Sequence, residues 1–400
     1  MRRARANALA GLALLLGSCV EYDEVPAGAY PGIAEMSEFV PTVALEVDGA
    51  EFAEMIERYG EDLEVEADVT LWREGRIALR SAPSRLKVKG RFSTKFPLKS
   101  LGIKLDRDAT NEDRRLLRVP YVKPSDRVDV VRALRLRNGG NEFVGTLVKD
   151  LAFARLVAAS DLRVVPVYGE PAATFVNGAF YGLHNLRTEH NASGLSRLLG
   201  VRKRQLRIAS VVNEGPVAVK SGPVAFWREL EAAIAAGDTA AVFAAIDEDS
   251  FIDFVVGGVI FGSYDWPHGN VRMVSVDGAP IRFVLFDFDL ACRYHVTATP
   301  HEHLSRGPDN PIRRMLDLCR GRTRFRQRLE GRYAEVLAGG ALGPDRLRRE
   351  LATLARAFDP VIAHQTSRYG YPASRGQWYT DLEALAEEYE RRYDRLDGSW

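Results

Sequence analysis

Asp265-Trp266-Pro267-His268-Gly269-Asn270 sets an aspartate and an asparagine in an Asp-x-x-x-x-Asn spacing, and Asp287-Phe288-Asp289 follows downstream. Phosphoryl transfer needs such a set. One carboxylate accepts the hydroxyl proton, an asparagine and a second carboxylate hold a divalent cation on the phosphates, and a lysine neutralises phosphate charge. Asp265 is placed for the base, with Asn270 and Asp287 for the metal. In an extended segment residues two apart share a face, so Asp287 and Asp289 point the same way between Leu285 and Leu290. Like carboxylates on an apolar strand repel unless a cation sits between them or one keeps its proton. Taken singly, the Asp-x-x-x-x-Asn spacing is common by chance and Asp265 reads as a turn aspartate before Pro267, while Asp287/Asp289 read as a solvated strand end. The ordered set is what points to a metal-assisted site.

The lysine is chosen by parity. In Phe96 to Leu105, Lys99 shares a face with Leu101, Ile103 and Leu105, while Lys104 points the other way with Ser100 and Gly102. A lysine on an apolar face needs a partner or ligand, or else it snorkels to water. The expectation is that Lys99 contacts phosphate. Asp150 lies beside the Leu147/Leu151/Ala154 face of a helix predicted over 143–159, as an ion-pair partner for Lys99 or as a surface carboxylate.

These residues need elements to carry them. Alternating apolar positions predict strands over 40–47, 65–71, 86–92 and 100–105. Residues 106–130 read as a loop or insertion. Asn138-Gly139-Gly140-Asn141 is a turn cluster. Residues 175–184 read as a hairpin across Asn177-Gly178, and 271–286 as another across Asp277-Gly278. Residues 193–250 read as mostly helical, 251–264 as an apolar helix, and 309–400 as helical and Arg-rich. No Walker loop, Gly-x-Ser-x-Gly, His-Glu-x-x-His or Gly-x-Gly-x-x-Gly is present.

The chain has 400 residues, 46% hydrophobic and 27% charged, which excludes wholesale disorder and leaves room for two or three folded units. Lys+Arg is 55 against Asp+Glu 54, so no overall field attracts nucleic acid, and none is expected as a partner. Three cysteines exclude a disulfide scaffold.

At the N-terminus Arg2, Arg3 and Arg5 precede an apolar run from Ala8 to Leu16. That run is too short to span a bilayer and fits a secretory signal. It ends Leu16-Gly17-Ser18-Cys19, similar to a bacterial lipobox, in which the cysteine thiol receives a diacylglycerol. The expected organisation is a lipoprotein signal over 1–18, with Cys19 as the lipidation site, and a polar tether over 19–38. A β-rich unit follows over 39–192, then a mainly helical unit over 193–400. The chain is thus expected to be an exported bacterial lipoprotein of the cell envelope, at the outer membrane or cell surface, held to the membrane by its lipid. Plain signal cleavage nearby, with Cys19 incidental, is the alternative. In an oxidising compartment Cys292 and Cys319 would either pair or stay as buried thiols.

Taken together the motifs resemble the CotH family, secreted spore-coat-H-type kinases with an atypical protein-kinase-like fold. The resemblance rests on Gly90-Arg91-Phe92-Ser93 with Phe96-Pro97-Leu98-Lys99-Ser100, and on Leu136-Arg137-Asn138-Gly139-Gly140-Asn141 with Lys149-Asp150. It rests further on Val176-Asn177-Gly178-Ala179-Phe180-Tyr181-Gly182, on Asp265-Trp266-Pro267 through Asn270, and on Phe286-Asp287-Phe288-Asp289. It implies an α+β fold of two lobes, the first β-rich and the second helical. It also implies ATP as phosphate donor, Mg²⁺ or Mn²⁺ as metal, and Ser or Thr of exported proteins as acceptor. Carried over, Lys99 binds phosphate with Asp150 as its support, Asp265 is the base, Asn270 and Asp287 hold metal, and Asp289 supports the metal site. Many members have a glutamate soon after the hairpin Tyr-Gly. Here Thr188 stands at that place and Glu189 one residue later.

Two other readings stay open. One is a catalytically inactive, lipid-anchored envelope or adhesion module on a kinase-like scaffold, since fold alone does not establish activity. The other is nucleotidyl transfer to a protein. His295, His301 and His303 read as incidental loop histidines, and the eight arginines from Arg313 to Arg332 as a solvated helix face.

Overall fold

The computed structural model describes residues 31–106, 117–128, 132–211, 217–293, 297–305 and 309–396. Cys19 and His295 lie outside them. The strands are β1 (Thr42–Val47), β2 (Val65–Arg73), β3 (Arg76–Lys89), β4 (Ser100–Leu105), β5 (Ala133–Arg137), β6 (Gly169–Val176), β7 (Ala179–Thr188), β8 (Leu206–Val211), β9 (Ala218–Ser221), β10 (Val271–Val276) and β11 (Arg282–Val284). The helices used below are α1 (Lys149–Ala159), α2 (Glu248–Phe261) and α3 (Pro311–Arg320). The fold is α+β.

The first seven strands close into a barrel in the order β1-β2-β3-β4-β5-β7-β6. All neighbours are antiparallel except β1 and β6. Closure at that parallel seam uses the β6–β7 turn. Asn177 and Gly178 have φ of +48° and +76°, as a two-residue hairpin turn demands. The Asn177 side chain then accepts from Val47 N at 2.9 Å and donates to Val47 O at 2.8 Å. The alternation expected for β2 is present, with Val65, Ala67, Val69 and Leu71 buried and Glu66 and Asp68 exposed.

A second sheet, ordered β11-β10-β8-β9, packs with the helices of the C-terminal half. Strands β8 and β9 correct the mostly helical reading of 193–250. The Lys/Arg-rich stretch before β8 hides a short strand whose stability comes from pairing with β10, 60 or so residues away in the chain. The strand expected over 86–92 is the end of the longer β3, and a 3-10 turn covers 92–95.

Helix α1 is buried along nearly its whole length, as is α2 from Ser250 to Phe261. Apolar residues on every side make both of them central helices. Cys292 and Cys319 are buried free thiols, so no bond joins them. Among the described residues no helix is long and apolar enough to cross a membrane.

Candidate active site

Adjacent glycines on α2 seat the two chemistry-bearing segments. A Cβ on Gly258 would lie 2.5 Å from the Trp266 ring, and one on Gly257 would lie 2.6 Å from Leu285 Cδ1. Trp266 is thereby packed down next to Asp265, and Leu285 just ahead of Asp287. Trp266 also meets Phe254 and lies parallel to the His303 ring. Phe288 is 1% exposed and packs against Phe153 of α1 and Phe261 of α2. The apolar residues of both motifs are therefore anchors, and the polar ones are turned to the opening.

That opening is a cleft of about 510 Å³. Asp265, Asn270, Asp287 and Asp289 all line it. So do Arg91, Arg135, Arg137, His190, Ser210 and Arg272, none of which the sequence argument selected. Asn270 and Asp287 adopt left-handed backbone conformations, at φ +55° and +68°. Asn and Asp tolerate that region better than other non-glycine residues, and such strain gathers at functional sites.

Asp287 and Asp289 do converge, though not through a simple extended strand, because Asp287 is left-handed. What lies between them is the Arg137 guanidinium. One Arg137 nitrogen donates to Asp287 and, at 3.0 Å, to Asp289, while Nε sits 2.6 Å from Asp150. Asp150 is also paired with Arg187 and accepts from Phe288 N at 2.9 Å. Asp289 accepts from Asn141 N at 2.8 Å and Asn141 Nδ2 at 3.1 Å. Three carboxylates thus face two arginines. Burial, with Asp287 nearby, pushes the Asp289 carboxyl up to about 7 against the pull of Arg137. The Arg pair instead holds Asp150 below the usual carboxylate range, overcoming its burial. Burial, reinforced by the Asp287 charge, raises the pKa of Asp265 and so strengthens it as a proton acceptor.

The expected Lys99–Asp150 pair is not formed. Lys99 Nζ donates to the carbonyls of Thr94 (2.5 Å) and Phe96 (2.8 Å) and lies 4.6 Å from the Tyr59 ring centre. It is absent from the cleft lining. Parity explains the difference. The face Lys99 shares with Leu101 and Ile103 is the barrel's buried face, whereas the cleft lies against the other face. There β5 presents Arg135 and Arg137 in alternation with buried Leu134 and Leu136. The signal was legible as Leu134-Arg135-Leu136-Arg137. Glu189 is buried and pairs with Arg135 at 3.0 Å, and Thr188 Oγ1 accepts from Tyr168 N in the barrel.

Asn270 and Asp287 supply hard oxygen donors of the kind Mg²⁺ or Mn²⁺ takes, with phosphate and water completing the shell. Among the described residues no group of three or more His, Cys, Asp or Glu stands ready to hold a metal alone. A cation shared with a phosphate chain fits this sparse set. Arg137 already engages one oxygen of Asp287, and Asp289 is committed to Asn141 and Arg137.

The class so defined is an α+β protein with a carboxylate- and arginine-lined cleft fed by a hairpin. Residues 224–396 match the family described as CotH kinase protein. The matched stretch contains Asp265, Asn270, Asp287 and Asp289 and leaves out the barrel. The match suggests a kinase-like function. No curated protein matches the chain.

Proposed function

We propose that the chain is an extracytoplasmic, metal-dependent protein kinase that moves the ATP γ-phosphate to Ser or Thr of exported proteins. The observation that carries this reading is the meeting of Asp265, Asn270 and Asp287 on one cleft. Asp265 accepts the acceptor hydroxyl proton as the new oxygen–phosphorus bond forms. The bond between the γ-phosphorus and its bridging oxygen breaks, and ADP leaves with that electron pair. Asn270 and Asp287 would hold Mg²⁺ or Mn²⁺, which supplies charge neutralisation on the phosphates when bound. Arg137 keeps Asp287 in place. In this reading the barrel and the helical half act as two lobes about the cleft. Cys19, lipidated, tethers the chain to the envelope membrane at the outer membrane or cell surface.

The test is transfer from labelled ATP with Mg²⁺ or Mn²⁺ to casein-like and envelope proteins, with mass spectrometry of the product to separate phosphate from nucleotide addition. Transfer lost in Asp265→Asn and Asp287→Asn supports the reading. Absence of transfer by the wild type counts against it. Labelled palmitate incorporation, lost in Cys19→Ala, tests the anchor.

A second reading is a non-catalytic envelope module on the same scaffold. It is favoured by the ion pairs that Arg137 makes with Asp287 and Asp289. Retained fold with no nucleotide binding would select it.

A further inference from the structure

Arg272 and Ser210 stand as direct cross-strand partners on β10 and β8. Such partners hold their Cβ atoms about 5 Å apart. Both line the cleft that carries Asp265 and Asn270. Arg272 Nη1 donates to the His190 carbonyl at 2.8 Å, yet its Nε is buried with no partner among the described residues. No described carboxylate forms an ion pair with it, since nearby Glu189 is paired with Arg135. Ser210 is 2% exposed, and its Oγ also lacks a partner among the described residues.

A half-buried guanidinium whose Nε is buried and unpartnered, and a buried hydroxyl without a partner, are both costly, and folds rarely keep them for structural reasons. Side by side on a cleft wall they form a donor set awaiting an acceptor. The planar, donor-only fork of arginine fits phosphate oxygens two at a time. Position adds to this. Arg272 is two residues beyond Asn270 in the chain, and both line the same cleft. A phosphate chain anchored at Asn270 and Asp287 would reach it.

We propose that Arg272 and Ser210 form an oxyanion subsite that takes a phosphate group. The group belongs either to the nucleotide's own phosphate chain or to a phosphorylated acceptor. The subsite itself stands on the two unpartnered groups; only the choice of source rests on the kinase reading above. It supplies the cationic phosphate contact for which Lys99 is misplaced.

The test is calorimetric binding to the full chain of pyrophosphate, ADP, adenosine and a phosphoserine peptide, comparing wild type with Arg272→Met and Ser210→Ala. Hydrogen bonds to a charged group are strong enough that Arg272→Met should weaken phosphate binding by about 10- to 100-fold. Ser210→Ala removes a hydroxyl that holds nothing else and should weaken it several-fold while leaving the melting temperature unchanged. Losses for pyrophosphate and ADP, with adenosine spared, assign the subsite to the nucleotide. Losses for the phosphoserine peptide alone assign it to the acceptor. Unchanged phosphate binding in Ser210→Ala, or an equal loss for adenosine, overturns the proposal. These binding readouts need no phosphotransfer, so an inactive protein that still binds pyrophosphate through Arg272 would sink the kinase reading and keep this one.

Discussion

Arg137, at the end of β5, donates to Asp289 at 3.0 Å across 152 residues of sequence. The same guanidinium holds Asp287 and Asp150. Its side chain is 10% exposed, and Asp150 is only 1% exposed. Removing one partner of a buried ionic cluster strands the others. Arg137→Met should therefore cost about 3–5 kcal/mol. Urea denaturation measures it, and wild-type stability in the variant would contradict the cluster.

Gly140 sits where only a hydrogen fits. Its φ is +64°, and a Cβ would fall 2.1 Å from Asp289 Oδ2 and 2.7 Å from an Arg137 nitrogen. Gly140→Ala should lower stability by about 1–3 kcal/mol, the usual cost of a strained backbone. It should also loosen Mn²⁺ binding, read by electron paramagnetic resonance, by displacing the Asp289–Arg137–Asp287 chain. An alanine variant with unaltered melting and Mn²⁺ affinity would refute this.

Asp265 is the predicted base. Asp265→Asn should lower transfer by about 10²–10⁴-fold with the fold intact. Its carboxyl titrates above the ordinary range, first from burial and then from Asp287. Removing the Asp287 charge should move that titration to lower pH. Carbon-13 NMR of the Asp265 carboxyl in wild type and Asp287→Asn reads the shift, and an upward or null change would be inconsistent with the geometry.

His184 couples the barrel to pH. Its ring bonds Thr174 Oγ1 at 2.9 Å and the Lys99 carbonyl at 3.1 Å. Burial pushes it down to about 4. The unfolded chain, near 6.5, binds a proton first as pH falls, so stability is full above about 6.5 and drains away toward 4. Between pH 7.5 and 5 this group alone should remove about 2 kcal/mol. Urea midpoints across that range should fall, and His184→Gln should flatten the fall.

Lys99→Met tests the corrected role of that lysine. It leaves the Thr94 and Phe96 carbonyls short of a donor and should cost about 1–3 kcal/mol. Pyrophosphate affinity should be unchanged, since Lys99 does not line the cleft. Selective loss of phosphate binding, without loss of stability, would restore the first expectation.

Much of the architecture was readable locally. Alternation marked β1, β2 and β4, Asn177-Gly178 marked the β6–β7 turn, and unbroken apolar residues marked α2. Asp265, Asn270, Asp287 and Asp289 were legible because loop and hairpin spacing is a property of a continuous stretch of chain. What failed was everything that depends on a distant partner. β8 forms because β10 pairs with it. Lys99 was assigned by its apolar neighbours, but which face of a strand borders the cleft is settled only when the barrel closes.

The residue order by itself determined the types of group available and their local spacing, because periodicity and turn chemistry act over a few residues. Tertiary structure decided which charges meet. Arg137 rather than Lys99 neutralises the acidic cluster, and among the described residues Arg272 stands beside Ser210 without an ion-pair partner. Electrostatic partners are chosen by distance in space and by the water excluded around them, and neither is written along the chain.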